Sequence, residues 1–241
     1  METDLIPLRI DEPFRFGCSP EVPCFNECCR DLNQFLTPYD ILRLTRRLGI
    51  GSGEFLARYT IETVGPETGL PVVSLRMLSG EEGLCPFVTD NGCSVYEDRP
   101  SSCRIYPLAR AISRSRETGE VTEHFALVRE AHCRGFEQLR SQNVKEWIKD
   151  QEAAIYNAFN DRLMEIIRLK NQMLPGPLDL RGRQSFRLGL YDLDAFRRHI
   201  QEKGVPRAME CDPPGQGPLI EDDLELLTFG HDWVRFELFG I

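Results

Sequence analysis

Four thiols within twelve residues, Cys18, Cys24, Cys28 and Cys29, stand near the start of this chain, ahead of any long hydrophobic pattern. They constrain the fold more than any apolar stretch does, because a chain of 241 residues can bury a core of its own without covalent staples. Two later groups answer the first: Cys85-Pro86-Phe87 with Asn91-Gly92-Cys93, and Arg99-Pro100-Ser101-Ser102-Cys103-Arg104. Cys133 brings the set to eight, and Cys211, alone before Asp212-Pro213-Pro214, is the ninth and reads as a free thiol. Nine is odd, so a disulfide scaffold would strand one sulfur, whereas eight ligands divide into fours.

Composition narrows the classes of function. No apolar run approaches the roughly 20 residues that span a bilayer, so no membrane partner is expected. A net charge of −9 argues against a nucleic-acid partner, since phosphate binding needs a basic face. The basic residues Arg43, Arg46 and Arg47 fall at helical spacing and read as a solvated face. The first residues carry acid where a secretory leader carries base. A cytoplasmic location is therefore expected, and there clustered cysteines hold metal more often than they form disulfides.

The local pattern places these residues. Pro13-Phe14-Arg15-Phe16 alternates aromatic and arginine, and predicts a short extended entry whose rings can shield the cysteine loop. Thr37 with Pro38 opens a helix that Gly49 closes, and Ser52 to Tyr59 forms a second. A period of two from Leu70 to Ser79 predicts a strand. The Asp90-Asn91-Gly92 turn predicts a hairpin that brings Cys85 near Cys93. Asp98 as a cap, with Pro100 in the first turn, puts Cys103 on a short helix. Strands are expected over 105–112 and 121–128, before Cys133. From Ser141 to about Leu169 the apolar residues recur at three- and four-residue intervals with no Pro or Gly, which predicts one long amphipathic helix. Leu174-Pro175-Gly176-Pro177 ends it, and shorter helices near 192–200 and 220–229 flank a Pro/Gly-rich linker at 212–218.

Thiolate is a strong ligand for both zinc and iron–sulfur clusters, and four cysteines serve either. Adjacent side chains diverge on a helix or strand, so Cys28 and Cys29 suit two neighbouring sites or a polynuclear cluster with spread corners. Cys24 and Cys28, four apart, can share one face. The plain alternative is that the cysteines pack as small buried hydrophobes. His124 and His132 lie close to Cys133 in sequence and read as structural or supporting groups, since the cysteines already fill two four-coordinate sites.

The blocks Cys24-x3-Cys28-Cys29, Cys85-Pro86-Phe87, Cys93-x2-Tyr96 and Arg99-Pro100-x2-Cys103-Arg104-x-Tyr106-Pro107 resemble the bacterial and archaeal cysteine-cluster proteins of the YkgJ or CxxCxxCC family. The resemblance runs from about Phe14 to Gly135 and implies a zinc- or iron-chelating domain related to the cluster of flagellin lysine N-methylases. The family commonly opens Cys-x2-Cys-x2-Cys-Cys, whereas this chain opens with the looser Cys18-x5-Cys24-x3-Cys28-Cys29.

The expected fold is α+β with helix dominating: a cysteine-rich metal-binding domain over 1–140 with short β-hairpins, then a long helix and a small helical appendage over 141–241. The expected ligands are Cys18, Cys24, Cys28, Cys29, Cys85, Cys93, Cys103 and Cys133, holding one or two iron–sulfur clusters of the 4Fe–4S type, or zinc. Two other functions compete. One is an S-adenosylmethionine-dependent protein lysine N-methylase with a protein substrate, although neither a Gly-x-Gly-x-x-Gly loop nor a Cys-x3-Cys-x2-Cys motif is present. The other is a zinc-stabilised adaptor whose helical half binds a protein partner.

Overall fold

The computed structural model describes residues 3–66, 68–80, 83–115, 117–206, 209 and 220–241. Cys211 and the linker at 212–218 lie outside the described residues. In chain order the elements begin with strands β1 (Thr3–Leu8) and β2 (Phe14–Arg15), helices α1 (Pro38–Leu48) and α2 (Ser52–Tyr59), and strands β3 (Thr60–Val64) and β4 (Pro71–Leu75). Strands β5 (Val88–Thr89) and β6 (Gly92–Cys93), helix α3 (Ser101–Ile105), and strands β7 (Leu108–Arg114), β8 (Val121–Glu130) and β9 (Ser141–Gln142) follow. Helices α4 (Val144–Asp150), α5 (Ala154–Met173), α6 (Leu180–Leu190), α7 (Leu193–Lys203) and α8 (Asp223–Phe239) complete it. The fold is α+β with several small separate sheets.

The chain divides into two compact units, each built from two segments: 1–32 with 77–155, and 33–76 with 156–241. Composition instead places a single change of character near residue 140. Residues 33–76 carry no cysteine, and they fold with the helices that follow residue 155.

The first unit contains all eight described cysteines. Its antiparallel sheet has the order β1-β8-β7, with Leu5 opposite Val128 and Leu108 opposite Leu127. β2 pairs with β9, Phe14 opposite Gln142. Phe14, Phe16, Leu108, Phe125, Val144 and Trp147 form the core beneath, and Tyr106, Cys133 and Phe136 pack against it. The Phe16 ring meets Tyr106, Phe136 and Trp147 edge-on, with centroids 5.7, 5.3 and 5.6 Å away. Edge-to-face pairs add about 0.5–1.5 kcal/mol each beyond the area they bury. The alternating entry thus does place its aromatic residues inward, and of the cysteines it is Cys133 that packs against them.

The expected long helix over 141–169 is broken. α4 ends at Asp150 and α5 starts at Ala154, with Glu152 left-handed at φ 49°. The Glu152 amide donates to the Lys149 carbonyl and the Ala153 amide to the Ile148 carbonyl, the paired bonds of a Schellman stop. Here Glu152 occupies the position usually given to glycine. The reason lies in another element: Arg104 Nη1 donates to the Gln151 carbonyl (2.6 Å), and Arg99 Nη2 donates to the Gln151 side chain. The buried Arg104 guanidinium thus satisfies a carbonyl at the end of α4 in place of a continuing helix, and buried Arg99 holds the Gln151 side chain beside it.

The second unit contains α1, α2 and α6–α8, with α5 from Tyr156 on, and the β3–β4 hairpin. Thr37 and Asp40 form a reciprocal capping box at the start of α1, and Gly49, left-handed at φ 64°, closes it as expected. Tyr156, Phe159, Ile166 and Leu169 of α5 are buried, with Phe159 stacked on Tyr39 at 4.8 Å. The apolar stripe of α5 is thus core. No helix among the described residues is long and apolar enough to cross a membrane.

Candidate metal centre

Backbone bonds assemble the cysteine loops. The Gly17 amide donates to the Gly135 carbonyl at 3.1 Å, which lays Cys18 beside the turn carrying Cys133. A Cβ at Gly135 would stand 2.5 Å from the Phe16 ring and 2.9 Å from the Gly17 carbonyl, so this approach requires glycine. The next amide, Arg134 N–H, donates to Cys24 Sγ at 3.0 Å. Residues 24–29 then coil through short turns into a three-residue 3-10 helix, Glu27–Cys29. Left-handed Asn26 anchors them by donating from Nδ2 to the Thr89 carbonyl (2.9 Å).

Beyond that helix the strand-like run 29–31 zips against 83–85. The Cys85 amide donates to the Cys29 carbonyl (2.9 Å), Arg30 bridges Leu84, and the Asp31 amide reaches the Gly83 carbonyl. The expected hairpin is present, with Val88 opposite Cys93 and Thr89 opposite Gly92, so Asp90 and Asn91 form the turn. Cys103 sits on the short helix α3 as anticipated, but that helix starts at Ser101 with Pro100 as its cap, while Asp98 ends the preceding 3-10 turn. Strands β7 and β8 lie close to their expected positions, and β4 stops at Leu75, short of Ser79.

None of the eight described cysteines is in a disulfide; Cys18, Cys28 and Cys103 keep exposed surface and the rest are half-buried. Their sulfurs form one electrostatic neighbourhood. Desolvation, followed by the neighbouring Cys28, Cys24 and Cys133, pushes the Cys18 thiol up to about 11, with Arg99 opposing. Cys29 donates to Cys28, which lowers the Cys28 thiol to about 7 and holds the Cys29 proton in place; Cys85 and Cys103 repel the Cys29 thiolate further. Desolvation likewise raises Cys85, Cys93 and Cys133. Thiols that resist ionising in the metal-free fold are stabilised as thiolates by a bound cation.

Fixed cations stand beside them. Arg99 is buried, its guanidinium 3.9 Å from the Tyr96 ring centroid, with a bond to the Tyr96 carbonyl. Burial and the neighbouring Arg104 work against its charge, while Cys103 and Cys93 favour it. Tyr106 carries its hydroxyl beside Cys133 and Glu130, and burial drives its phenol well above the usual range. Glu130 also neighbours Cys28, and it sits 3.8 Å from His132 Nε2. His132 is thereby engaged, and His124 meets Ser113 Oγ at 2.8 Å on the β7–β8 ribbon. Sequence reasoning missed Glu130 and Gln151, for neither carries a motif signal and each matters only through its spatial neighbours.

By donor chemistry this set fits zinc or an iron–sulfur cluster: soft sulfur ligands with buried cations to offset the charge of a metal tetrathiolate. As the side chains stand, no group of three or more Cys, His, Asp and Glu among the described residues is placed to hold a metal ion.

Comparison with known proteins agrees with the donor chemistry. The CxxCxxCC family, described as a putative zinc- or iron-chelating domain, matches residues 17–147, which takes in all eight of these cysteines. No curated protein and no solved structure gave a significant match. More than half of the chain follows the family pattern, and the protein is a member of the CxxCxxCC family.

Proposed function

We propose that this protein binds metal through Cys18, Cys24, Cys28, Cys29, Cys85, Cys93, Cys103 and Cys133, and that the metal is an iron–sulfur centre of the 4Fe–4S type, with zinc as the competing occupant. The observation that carries the reading is the gathering of eight non-disulfide thiols from four separate stretches of one compact unit. Hydrophobic packing alone does not account for them, because three keep exposed surface and the buried Arg99 guanidinium stands close by. Bound there, an iron–sulfur centre supplies one-electron transfer or a site for cofactor cleavage, and zinc supplies a structural tie. The chain's own part is to hold the four stretches in register and to screen one side of the cysteines with Phe16 and Tyr106.

Anaerobic purification followed by an ultraviolet–visible spectrum, with iron, sulfide and zinc measured per chain, tests this. Broad absorption near roughly 400 nm with matched iron and sulfide is expected. Colourless protein with stoichiometric zinc assigns the site to zinc, and protein that holds neither after metal supplementation contradicts the proposal.

A further inference from the structure

We infer that the eight cysteines form two four-sulfur sites rather than one, with Cys18, Cys24, Cys28 and Cys133 in the first and Cys29, Cys85, Cys93 and Cys103 in the second. This rests on the reading of the cysteines as metal ligands and adds how they divide.

The backbone makes the division. The first set is drawn together by the Gly17–Gly135 bond and by Arg134 N–H on Cys24 Sγ, so its members come from the segment after β2 and the turn after β8. The second is drawn together by the Cys85–Cys29 bond and the β5–β6 hairpin. Cys28 and Cys29 are the junction. Their thiols are hydrogen-bonded to each other, so the two sets meet at this pair: Cys28 is the first sulfur neighbour of Cys18, while the Cys29 carbonyl bonds the Cys85 amide.

The sulfur neighbours follow the same line. Cys18 is surrounded by Cys28, Cys24 and Cys133, and Cys24 also meets Cys133. Cys29 has Cys85 and Cys103, and Cys85 has Cys93. Across the line, the junction residue Cys28 also feels Cys29, Cys85 and Cys93. Arg99 neighbours Cys18 of the first set and Cys93 and Cys103 of the second. Four thiolates around a divalent ion or a cubane in its 2+ state carry two negative charges, so a shared guanidinium reduces the repulsion between two such sites.

Cobalt(II) titration of the full-length chain counts the sites, since sulfur-to-cobalt charge transfer reports thiolate ligation directly. The wild-type chain is expected to saturate at two equivalents. The pair Cys24→Ser with Cys133→Ser, and the pair Cys85→Ser with Cys93→Ser, are each expected to lose half of the signal. The mixed pair Cys133→Ser with Cys85→Ser is expected to lose nearly all of it. Saturation of the wild type at one equivalent, or equal losses from all three pairs, overturns the division, and no cobalt bound by the wild type overturns the reading of the cysteines as ligands. A second measurement needs no variant: wild-type chain given one equivalent of cobalt is alkylated and its cysteines mapped by mass spectrometry. Protection in the stated fours is expected; a protected group that mixes Cys24 or Cys133 with Cys85 or Cys93 overturns the division.

Discussion

Arg104 is 4% exposed and donates to two backbone carbonyls, those of Glu97 and Gln151, each at the end of a helical turn. Replacing it strands both acceptors in a buried place. Arg104→Met is expected to cost the first unit about 2–4 kcal/mol, since breaking charge-assisted bonds leaves their partners unsatisfied. Arg104→Lys should recover little, because one ammonium does not reproduce the guanidinium fork. Urea unfolding followed by Trp147 fluorescence, in a Trp233→Phe background, measures it; an unchanged midpoint would contradict the role. His231 makes a different prediction in the second unit. Its Nδ1 donates to the Leu227 carbonyl (2.8 Å), while Nε2 is buried with no partner among the described residues. Desolvation lowers its pKa from 6.5 to about 4, opposed by the bond to Leu227 and by Asp232 and helped by Arg162. The unfolded chain therefore takes up a proton below about pH 6.5 that the folded chain refuses until about pH 4. Stability should fall as the pH drops through that window, by up to about 3 kcal/mol at its lower end. His231→Gln should flatten this part of the profile, measured as urea midpoints between pH 7 and 4.5; identical slopes would contradict it.

Among the elements, the crossing of α6 and α8 is set by two glycines. A Cβ at Gly230 would lie 2.0 Å from the Gly189 carbonyl, and one at Gly189 would lie 2.7 Å from Val234. Gly230→Ala must push the helices apart and should cost about 1–3 kcal/mol or more, the range for overpacking. Gly49→Ala meets nothing within 4 Å and should cost only about 1 kcal/mol, from its left-handed backbone. Thermal unfolding of the two variants compares them directly; equal losses would contradict the close crossing. The crossing carries little signal in sequence, and neither do α6 and β1, because their apolar residues are short runs whose partners lie far along the chain. α1 was legible, since Thr37, Pro38, Asp40 and Gly49 determine its ends through bonds within the segment. The break at Glu152 was not, because the guanidinium groups that end α4 come from residues about 50 positions earlier.

At the scale of the whole molecule, the site was more legible than the architecture. Cysteine chemistry is carried by the residue type itself, so the eight candidate ligands and the hairpin that presents Cys93 could be read from spacing and turn residues. The two-segment composition of each compact unit could not, for it depends on contacts such as Arg134 N–H to Cys24 Sγ in the first and Ser52 Oγ to Asp192 in the second, which link distant stretches. The function of these cysteines depends on whether their sulfur surrounds a metal. Extended X-ray absorption fine structure at the edge of the metal found in anaerobically purified protein measures that directly. The prediction is a first shell of sulfur alone, four per metal at about 2.3 Å. A shell dominated by nitrogen or oxygen would contradict it, and would return the cysteines to a role in packing.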